Sequence, residues 1–147
     1  MTGPDIFQRA LALWRLDDSV RLLPPATDEY ITDIFATLRF PLSDYVRQFY
    51  GLTSGFADDS SHGLWLLWPL DHLYGENENN SPYLWFSDFL ICSHVYGLHY
   101  IDSNTSAVYV SYGLERAAPH KVASSLEDFF QKYLYHPHDI EVFNDIA

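Results

Sequence analysis

The apolar pattern of this chain changes its period at Gly55, and that change restricts the fold more than any other feature of the sequence. Before Gly55, apolar residues recur three and four positions apart, the spacing of a helix with one buried side. After Gly55, aromatic and β-branched runs are separated by Gly, Asn, Asp and Ser, which is typical of strands and turns. A last helical pattern closes the chain. This order predicts an α+β fold, with an antiparallel sheet packed on one side by the N-terminal helices and a C-terminal helix.

Three helices are predicted in the first part of the chain. The first covers residues 4–16. The second follows two prolines, with Thr27 as its N-cap and Asp28 and Glu29 in its first turn. The third begins at Pro41 and ends near residue 55.

Four strands are predicted after the helices, at residues 63–68, 83–92, 95–101 and 107–112. Only residues 102–106 separate the last two strands, so these should pair as an antiparallel hairpin. A short helical turn is expected at residues 69–74. A capping box of Ser124 and Glu127 should begin the closing helix.

The length and composition predict one domain over residues 1–147, with an N-terminal helical extension at 1–21 and a polar tail at 136–147. The chain is 48% hydrophobic and 17% aromatic, which excludes disorder. Its apolar runs are far shorter than the ~20 residues of a membrane helix. The first residues do not resemble a secretion signal, and the single cysteine, Cys92, cannot form an internal disulfide. A cytoplasmic location is therefore expected.

The formal charge of −12 restricts the kind of partner. Proteins that bind nucleic acids contact phosphates through clustered Lys and Arg, so that class is excluded. No Lys or Arg occurs between Arg47 and Arg116, whereas acidic residues are spread along that stretch. Two interpretations stay open: a surface that only keeps the protein in solution, and a negative field that attracts a basic partner.

Two pairs of residues in the sequence have side chains suited to metal binding or catalysis. His136 and His138 lie two positions apart but lack a third ligand at a known spacing, so no metal site is predicted. Cys92 and His94 would alternate to one face of a strand, which could bring a thiol near an imidazole. A cysteine in an apolar run is more often a small core residue. No catalytic residue and no cofactor are predicted.

The segment WLLWPLDHLYGENENNSPYLWF, residues 65–86, combines many large aromatic residues with an acidic loop. Trp65, Leu67 and Trp85 are predicted to be core residues, because large aromatic side chains dominate core burial. Other aromatic residues should lie on the opposite strand face, where no helix would cover them. These are Trp68, Tyr83, Tyr96 and Tyr100.

Three segments, in this order, resemble the SUKH superfamily, which includes bacterial toxin-immunity proteins and a fungal regulator of cell-wall synthesis. LLPPATDEYITDIFATLRFPLSDYVRQFYGLTSGF resembles the opening of that family, and LWLLWPLDHL is similar to its first strand and the turn after it. GLHYIDSNTSAVYVSYG, followed by VASSLEDFFQKYL, resembles its late hairpin and closing helix. The resemblance spans residues 22–134.

The resemblance implies a protein-binding module rather than an enzyme: an immunity protein that neutralises a cognate toxin, commonly a nuclease. A nuclease is basic where it grips phosphate, so an acidic inhibitor can imitate that charge. The partner would be a basic protein rather than nucleic acid or membrane, and the chain itself a monomer or weak homodimer. The candidate partner-binding residues are Asp58, Asp59, Asp71, Glu76, Glu78 and Asp102 for steering, with Trp68, Tyr83 and Tyr100 as anchors.

Three alternatives stay open from the sequence. The chain could be an intracellular regulatory or scaffold domain, with several partners instead of one. It could bind a small molecule through the aromatic cluster. It could be a small enzyme that uses Cys92 and His94 or a pair of acidic residues.

Overall fold

The computed structural model describes residues 3–75, 81–112 and 118–142, and within them it has the predicted α+β fold. The helices are α1 (Gly3–Arg15), α2 (Asp28–Leu38), α3 (Asp44–Tyr50) and α4 (Leu126–Tyr135). The strands are β1 (Trp65–Leu67), β2 (Tyr74–Gly75), β3 (Tyr83–Phe89), β4 (His94–Tyr100), β5 (Ser106–Ser111) and β6 (His120–Ala123). Short 3-10 turns cover Leu70–His72, in the predicted 69–74 segment, and Pro137–Ile140.

The six strands form one antiparallel sheet in the order β1, β3, β4, β5, β6, and β2 pairs with β3 on the same edge as β1. β3, β4 and β5 follow one another as hairpins, as the sequence predicts. β2 and β6 lie outside the predicted set. β2 has only two residues, and β6 begins with the polar side chains of His120 and Lys121, which interrupt the apolar pattern.

The helix ends show which capping predictions hold. The hydroxyl of Thr27 accepts a hydrogen bond from the Tyr30 backbone N–H at 3.1 Å, which confirms the N-cap of α2. The capping box at Ser124 is wrong by one residue. Ser125 is the N-cap of α4, and its hydroxyl accepts from the Asp128 N–H at 2.9 Å, while the Asp128 carboxylate accepts from the Ser124 N–H.

α3 is shorter at both ends than the predicted helix, which began at Pro41. Its first N–H groups, on Asp44 and Tyr45, donate to the carbonyls of Ser103 and Asn104 at 2.8 and 3.0 Å. These carbonyls belong to the turn between β4 and β5. They satisfy helix donors that a capping side chain would otherwise satisfy, so the turn sets where α3 begins.

Aromatic side chains from both ends of the chain form the centre of the core. Trp14 of α1 stacks on Trp65 of β1, with ring centroids 5.8 Å apart and an interplanar angle of 15°. Phe130 of α4 meets Trp14 edge-on at 5.8 Å and stacks on Phe49 of α3 at 4.8 Å. All four rings are fully buried. Such aromatic pairs add about 0.5–1.5 kcal/mol each beyond the burial of their area.

The two ends of the chain belong to this core. α1 contributes Phe7 and Trp14, so the predicted extension at residues 1–21 includes core residues. The polar tail predicted from residue 136 is also corrected up to Val142. Ile140 and Val142 are buried, and the Tyr96 hydroxyl donates to the Ile140 carbonyl at 2.7 Å.

A buried hydrogen-bonded chain links α1, α4 and the loop before β1. The Trp14 indole N–H donates to the Tyr133 hydroxyl at 3.0 Å, and that hydroxyl is bonded to Nδ1 of His62. The His62 tautomer determines which of the two atoms donates in this second hydrogen bond. Burial lowers the pKa of His62, and the Asp17 carboxylate offsets only part of this effect.

Replacing Tyr133 with Phe removes one hydroxyl and leaves the Trp14 N–H and His62 Nδ1 without this partner. We expect the unfolding free energy to fall by about 1–3 kcal/mol, because buried polar groups lose their hydrogen bonds. A lower urea midpoint at unchanged slope would report this. Tyr135→Phe is the control, because its exposed hydroxyl accepts from Arg9 at the surface. Equal losses in the two variants would contradict the expectation.

Acid should destabilise the protein through His62. Its folded pKa lies below the unfolded value of 6.5, so its contribution is complete above pH 6.5 and is lost as the pH falls through the folded pKa. His62→Gln keeps a side chain that can hydrogen-bond to Tyr133 but does not titrate. Between about pH 7 and pH 5, the wild type should therefore lose more unfolding free energy than this variant. Parallel curves from urea titrations would show that His62 does not contribute.

Candidate functional site

The sheet face opposite the helices carries four clustered aromatic rings. Tyr83 contacts Trp85, His99 and Tyr109, with ring centroids 5.5, 5.7 and 5.0 Å apart, and His99 contacts Tyr109 at 5.4 Å. These four side chains are half-buried, and they alternate along the strands with the core residues Leu84, Phe86, Leu98, Val108 and Val110. We call Tyr83, Trp85, His99 and Tyr109 the aromatic face.

A glycine and a bulge position Trp85 on this face. A Cβ atom on Gly97 would lie 2.7 Å from the Trp85 ring, so only glycine lets the indole pack there. The β3–β4 register shifts between Trp85 and Ser87, and Phe86 reaches the core instead, with its ring 5.9 Å from that of Phe129. The prediction that Trp85 is a core residue is therefore wrong.

His99 adds a polar group to the aromatic face. Its Nδ1 atom is buried within the cluster and has no hydrogen-bond partner. Buried polar atoms nearly always have a hydrogen-bond partner, so a bound group or a water could supply the one that this ring nitrogen lacks.

Trp68, just after β1, is held by a buried carboxylate of β3. Its indole N–H donates to Oδ2 of Asp88 at 2.6 Å, and the Cys92 backbone N–H donates to Oδ1 at 3.2 Å. Asp88 is only 4% exposed. The carboxylate therefore connects the edge of the sheet to the turn between β3 and β4.

The aromatic residues predicted for the open face do not all lie there. Tyr83 belongs to the aromatic face, and Trp68, just after β1, is half-buried. Tyr96 is fully buried in the core, so that prediction is wrong. Tyr100, at the end of β4, is half-buried. Tyr109 was missed because it stands between two valines, a run that does not reveal which residue faces the core.

The predicted acidic residues do not form one cluster. Asp102 lies in the β4–β5 turn next to the Tyr83 end of β3, and its Oδ1 accepts from the Asn104 and Thr105 N–H groups at 2.9 and 3.1 Å. Asp58 and Asp59 precede β1, which meets the other end of β3. Seven residues of strand separate the ends by about 20 Å.

The remaining predicted acids differ in how much the structure says of them. Asp71 is exposed in the Leu70–His72 turn, with its carboxylate 3.7 Å from the His72 ring. Glu76 and Glu78 lie outside the described residues.

The turn between β3 and β4 has an unusual backbone. Leu90, Ile91 and Cys92 have φ angles of 57°, 52° and 65°, in the left-handed region that residues with a Cβ rarely adopt. Each such residue costs about 1–2 kcal/mol, and a β-branched isoleucine is especially unfavourable there. Strain of this kind collects at functional sites, which makes the turn a second candidate surface.

This turn also corrects the predicted pairing of Cys92 with His94. The strand predicted at 83–92 ends at Phe89, so Cys92 lies in the turn and is exposed, whereas His94 is buried at the start of β4. Nε2 of His94 donates to the Glu141 carbonyl at 2.7 Å. Reduced contact with water and the Asp88 carboxylate raise the pKa of the Cys92 thiol, the opposite of what activates a cysteine nucleophile.

A second group of titratable residues fastens the C-terminal segment to the sheet. The Glu141 carboxylate accepts from the Tyr112 hydroxyl and from Nε2 of His120, the latter at 2.6 Å. Burial acts to raise the pKa of Glu141, but these hydrogen bonds outweigh it and lower the pKa. Burial and the Glu141 carboxylate raise the pKa of Tyr112 to about 12. The group therefore keeps Glu141 ionised and holds residues 137–142 in place.

No metal site is found at the aromatic face among the described residues. No three His, Cys, Asp or Glu side chains of the described residues converge as metal ligands. An open depression of about 250 Å³ lies elsewhere, lined by Ile6, Glu127, Asp128 and Gln131. Small-molecule pockets usually measure about 300–1,000 Å³ and are mostly apolar.

Comparison with known proteins adds no relative. No protein-family model, no curated protein and no solved structure matches this chain. In the described part of the chain, no helix has the length and apolar composition needed to cross a bilayer.

Replacing Ile91 with Gly should stabilise the protein. Glycine adopts positive φ without steric cost, and Ile91 is 88% exposed, so little packing is lost. We expect a gain of about 1 kcal/mol in unfolding free energy, measured by urea denaturation. Ile101→Gly is the matched control, because Ile101 is exposed without a positive φ, and it should show no gain. If Ile91→Gly lowered the unfolding free energy as much as the control does, the inference of backbone strain at Ile91 would be contradicted.

Proposed function

We propose that this chain is a non-catalytic protein-binding module that covers and neutralises a basic protein, of the nuclease-type toxin class implied by the SUKH resemblance. The observation that carries the proposal is the aromatic face: half-buried tyrosine, tryptophan and histidine rings on the side of the sheet opposite the helices. Aromatic residues are enriched in the centres of protein interfaces, where they supply most of the binding free energy. A cytoplasmic location goes with this proposal.

The rigidity of the aromatic face supports a role in binding. Trp85 is fixed over Gly97 and against Tyr83, and Tyr83 is in turn held against Tyr109. Side chains already held in one arrangement lose little conformational entropy when a partner covers them. A partner that covered these rings would also remove from water the apolar surface that the helices leave uncovered.

The charge of the chain supports a basic partner. Asp102 is exposed in the β4–β5 turn, Asp58 and Asp59 are exposed in the loop before β1, and the whole chain has a formal charge of −12. A local exception is Lys121, which lies opposite Tyr109 in the register of β5 and β6. Charges around an apolar centre mainly raise the association rate and determine which partners are accepted.

The test begins with capture of partners by the immobilised chain, at low and high salt, from cells that produce it. Each retained protein is then purified and assayed for nuclease activity in the presence of this chain. One basic nuclease inhibited at a one-to-one ratio would support the proposal. Several unrelated proteins, none inhibited, would instead favour a regulatory or scaffold domain.

Substitutions on the aromatic face should weaken binding to that partner. We expect Tyr109→Ala and Trp85→Ala to raise Kd at least about tenfold, mainly by faster dissociation, because anchor side chains dominate interface energetics. Tyr135→Ala is the control, an exposed tyrosine on α4. Equal affinity of all three variants in surface plasmon resonance would remove the aromatic face from the interface.

The acidic residues should act on the association rate instead. Asp102→Asn keeps the oxygen that accepts from Asn104 and Thr105 but removes the charge. Combined with Asp58→Asn and Asp59→Asn, it should slow association and flatten the salt dependence. Glu29→Gln with Asp33→Asn, on exposed positions of α2, is the control. An unchanged rate and salt dependence in the triple variant would remove these aspartates from the proposal.

A further inference from the structure

The turn between β3 and β4 exposes apolar side chains to water, at positions where the positive φ angles disfavour residues with a Cβ atom. Ile91 is 88% exposed and Leu90 is 41% exposed, although both have positive φ angles. A polar or glycine residue would fit this turn with less strain and better solvation. The stability of the fold therefore does not explain why apolar side chains occupy these exposed positions.

Hydrogen bonds hold this turn in one place. The Leu90 N–H donates to the Leu64 carbonyl at 3.1 Å, the Ser93 N–H donates to the Leu90 carbonyl at 3.0 Å, and the Cys92 N–H donates to the buried Asp88 carboxylate. Leu64 is itself 43% exposed. We call Leu64, Leu90 and Ile91 the apolar tip.

Aspartates lie on the two segments that adjoin the apolar tip. The Ser61 N–H donates to the Ser19 carbonyl at 3.0 Å, which joins residues 17–21 to the loop that leads into Leu64. These segments carry Asp17, Asp18, Asp58 and Asp59. The same segments also carry Arg21, whose guanidinium donates a hydrogen bond to the Asp58 backbone carbonyl. The two segments therefore carry four aspartates and one arginine.

We propose that the apolar tip inserts into an apolar socket on a basic protein partner, with lysine and arginine side chains around the socket paired to these aspartates. The inference rests on the proposed function for the nature of the partner, and it adds a second contact surface. The tip directly follows β3, the strand that carries Tyr83 and Trp85 of the aromatic face, so one partner can cover both. The tip would supply a central apolar anchor and the aspartates a charged rim.

The same charges argue against two other occupants. A second copy of this chain would bring its own aspartates against these, and like charges across an interface oppose association. A membrane rich in anionic lipid would repel them as well, since such surfaces attract basic segments. A basic protein is the occupant that the charge pattern favours.

The first test places a photo-crosslinking residue, p-benzoylphenylalanine, at one position at a time in the full chain, in cells that produce it. The positions are Ile91 in the apolar tip, Tyr109 in the aromatic face and Tyr30, an exposed control on α2. We expect the same basic protein at Ile91 and Tyr109 and none at Tyr30. A crosslink at Tyr109 alone would overturn the inference and leave the proposed function standing, whereas no crosslink at any position would overturn both.

The second test uses that partner in purified form. Ile91→Asp and Ile91→Gly should each weaken binding at least tenfold, with Tyr30→Asp within about twofold of wild type. Ile91→Gly keeps the turn and relieves its strain, so loss of affinity in this variant cannot come from unfolding. Unchanged affinity of both Ile91 variants would overturn the inference.

Two further measurements distinguish the other occupants. Sedimentation equilibrium tests self-association, and flotation with vesicles of phosphatidylcholine and phosphatidylglycerol tests lipid binding. The inference expects neither for the wild-type chain. If the wild-type chain formed dimers or bound vesicles and Ile91→Asp abolished that binding, the tip would be assigned to that occupant. The inference of a socket on a basic protein would then be overturned.

Discussion

The stack of Trp14 on Trp65 is the contact on which the rest of the structure depends, because it joins the first helix to the first strand and gives α4 a surface to pack on. Phe130 meets both indoles, and the Tyr133 hydroxyl satisfies the N–H of Trp14. The helices are thereby committed to one face of the sheet. The other face keeps its aromatic rings half-exposed, so the arrangement that forms the core also produces the candidate binding surface.

How far the sequence predicts this fold depends on whether a feature is local. The change of period, the Thr27 cap and the hairpin order of β3, β4 and β5 follow from neighbouring residues, and the structure has them. The start of α3 does not, because it depends on carbonyls of the β4–β5 turn, about sixty residues away in sequence. The cap of α4 fell one residue from the prediction, since two adjacent serines offer the same chemistry and the Asp128 carboxylate selects between them.

The candidate site was harder to predict than the fold, because strand alternation fails wherever the register shifts. The bulge between Trp85 and Ser87 exchanges which residue faces the core, so Trp85 joins the open face while Phe86 is buried. Tyr96 looked like a surplus aromatic residue, yet its hydroxyl is bonded to a segment near the C-terminus that read as a polar tail. Nothing in the sequence indicates the left-handed turn, because Leu90 and Ile91 are apolar residues that fit the pattern of a continuous strand.

The contact between the β4–β5 turn and α3 also determines how the molecule can open. If the β4–β5 turn moves away from α3, the first N–H groups of the helix lose the carbonyls of Ser103 and Asn104 as acceptors. A further hydrogen bond, between the hydroxyls of Ser43 and Ser106 at 2.8 Å, joins the same two segments. These hydrogen bonds couple the opening of the hairpin to the opening of the helix. Asp102, which shapes that turn, is exposed, so a partner that bound there would slow amide hydrogen exchange in α3 without touching the helix.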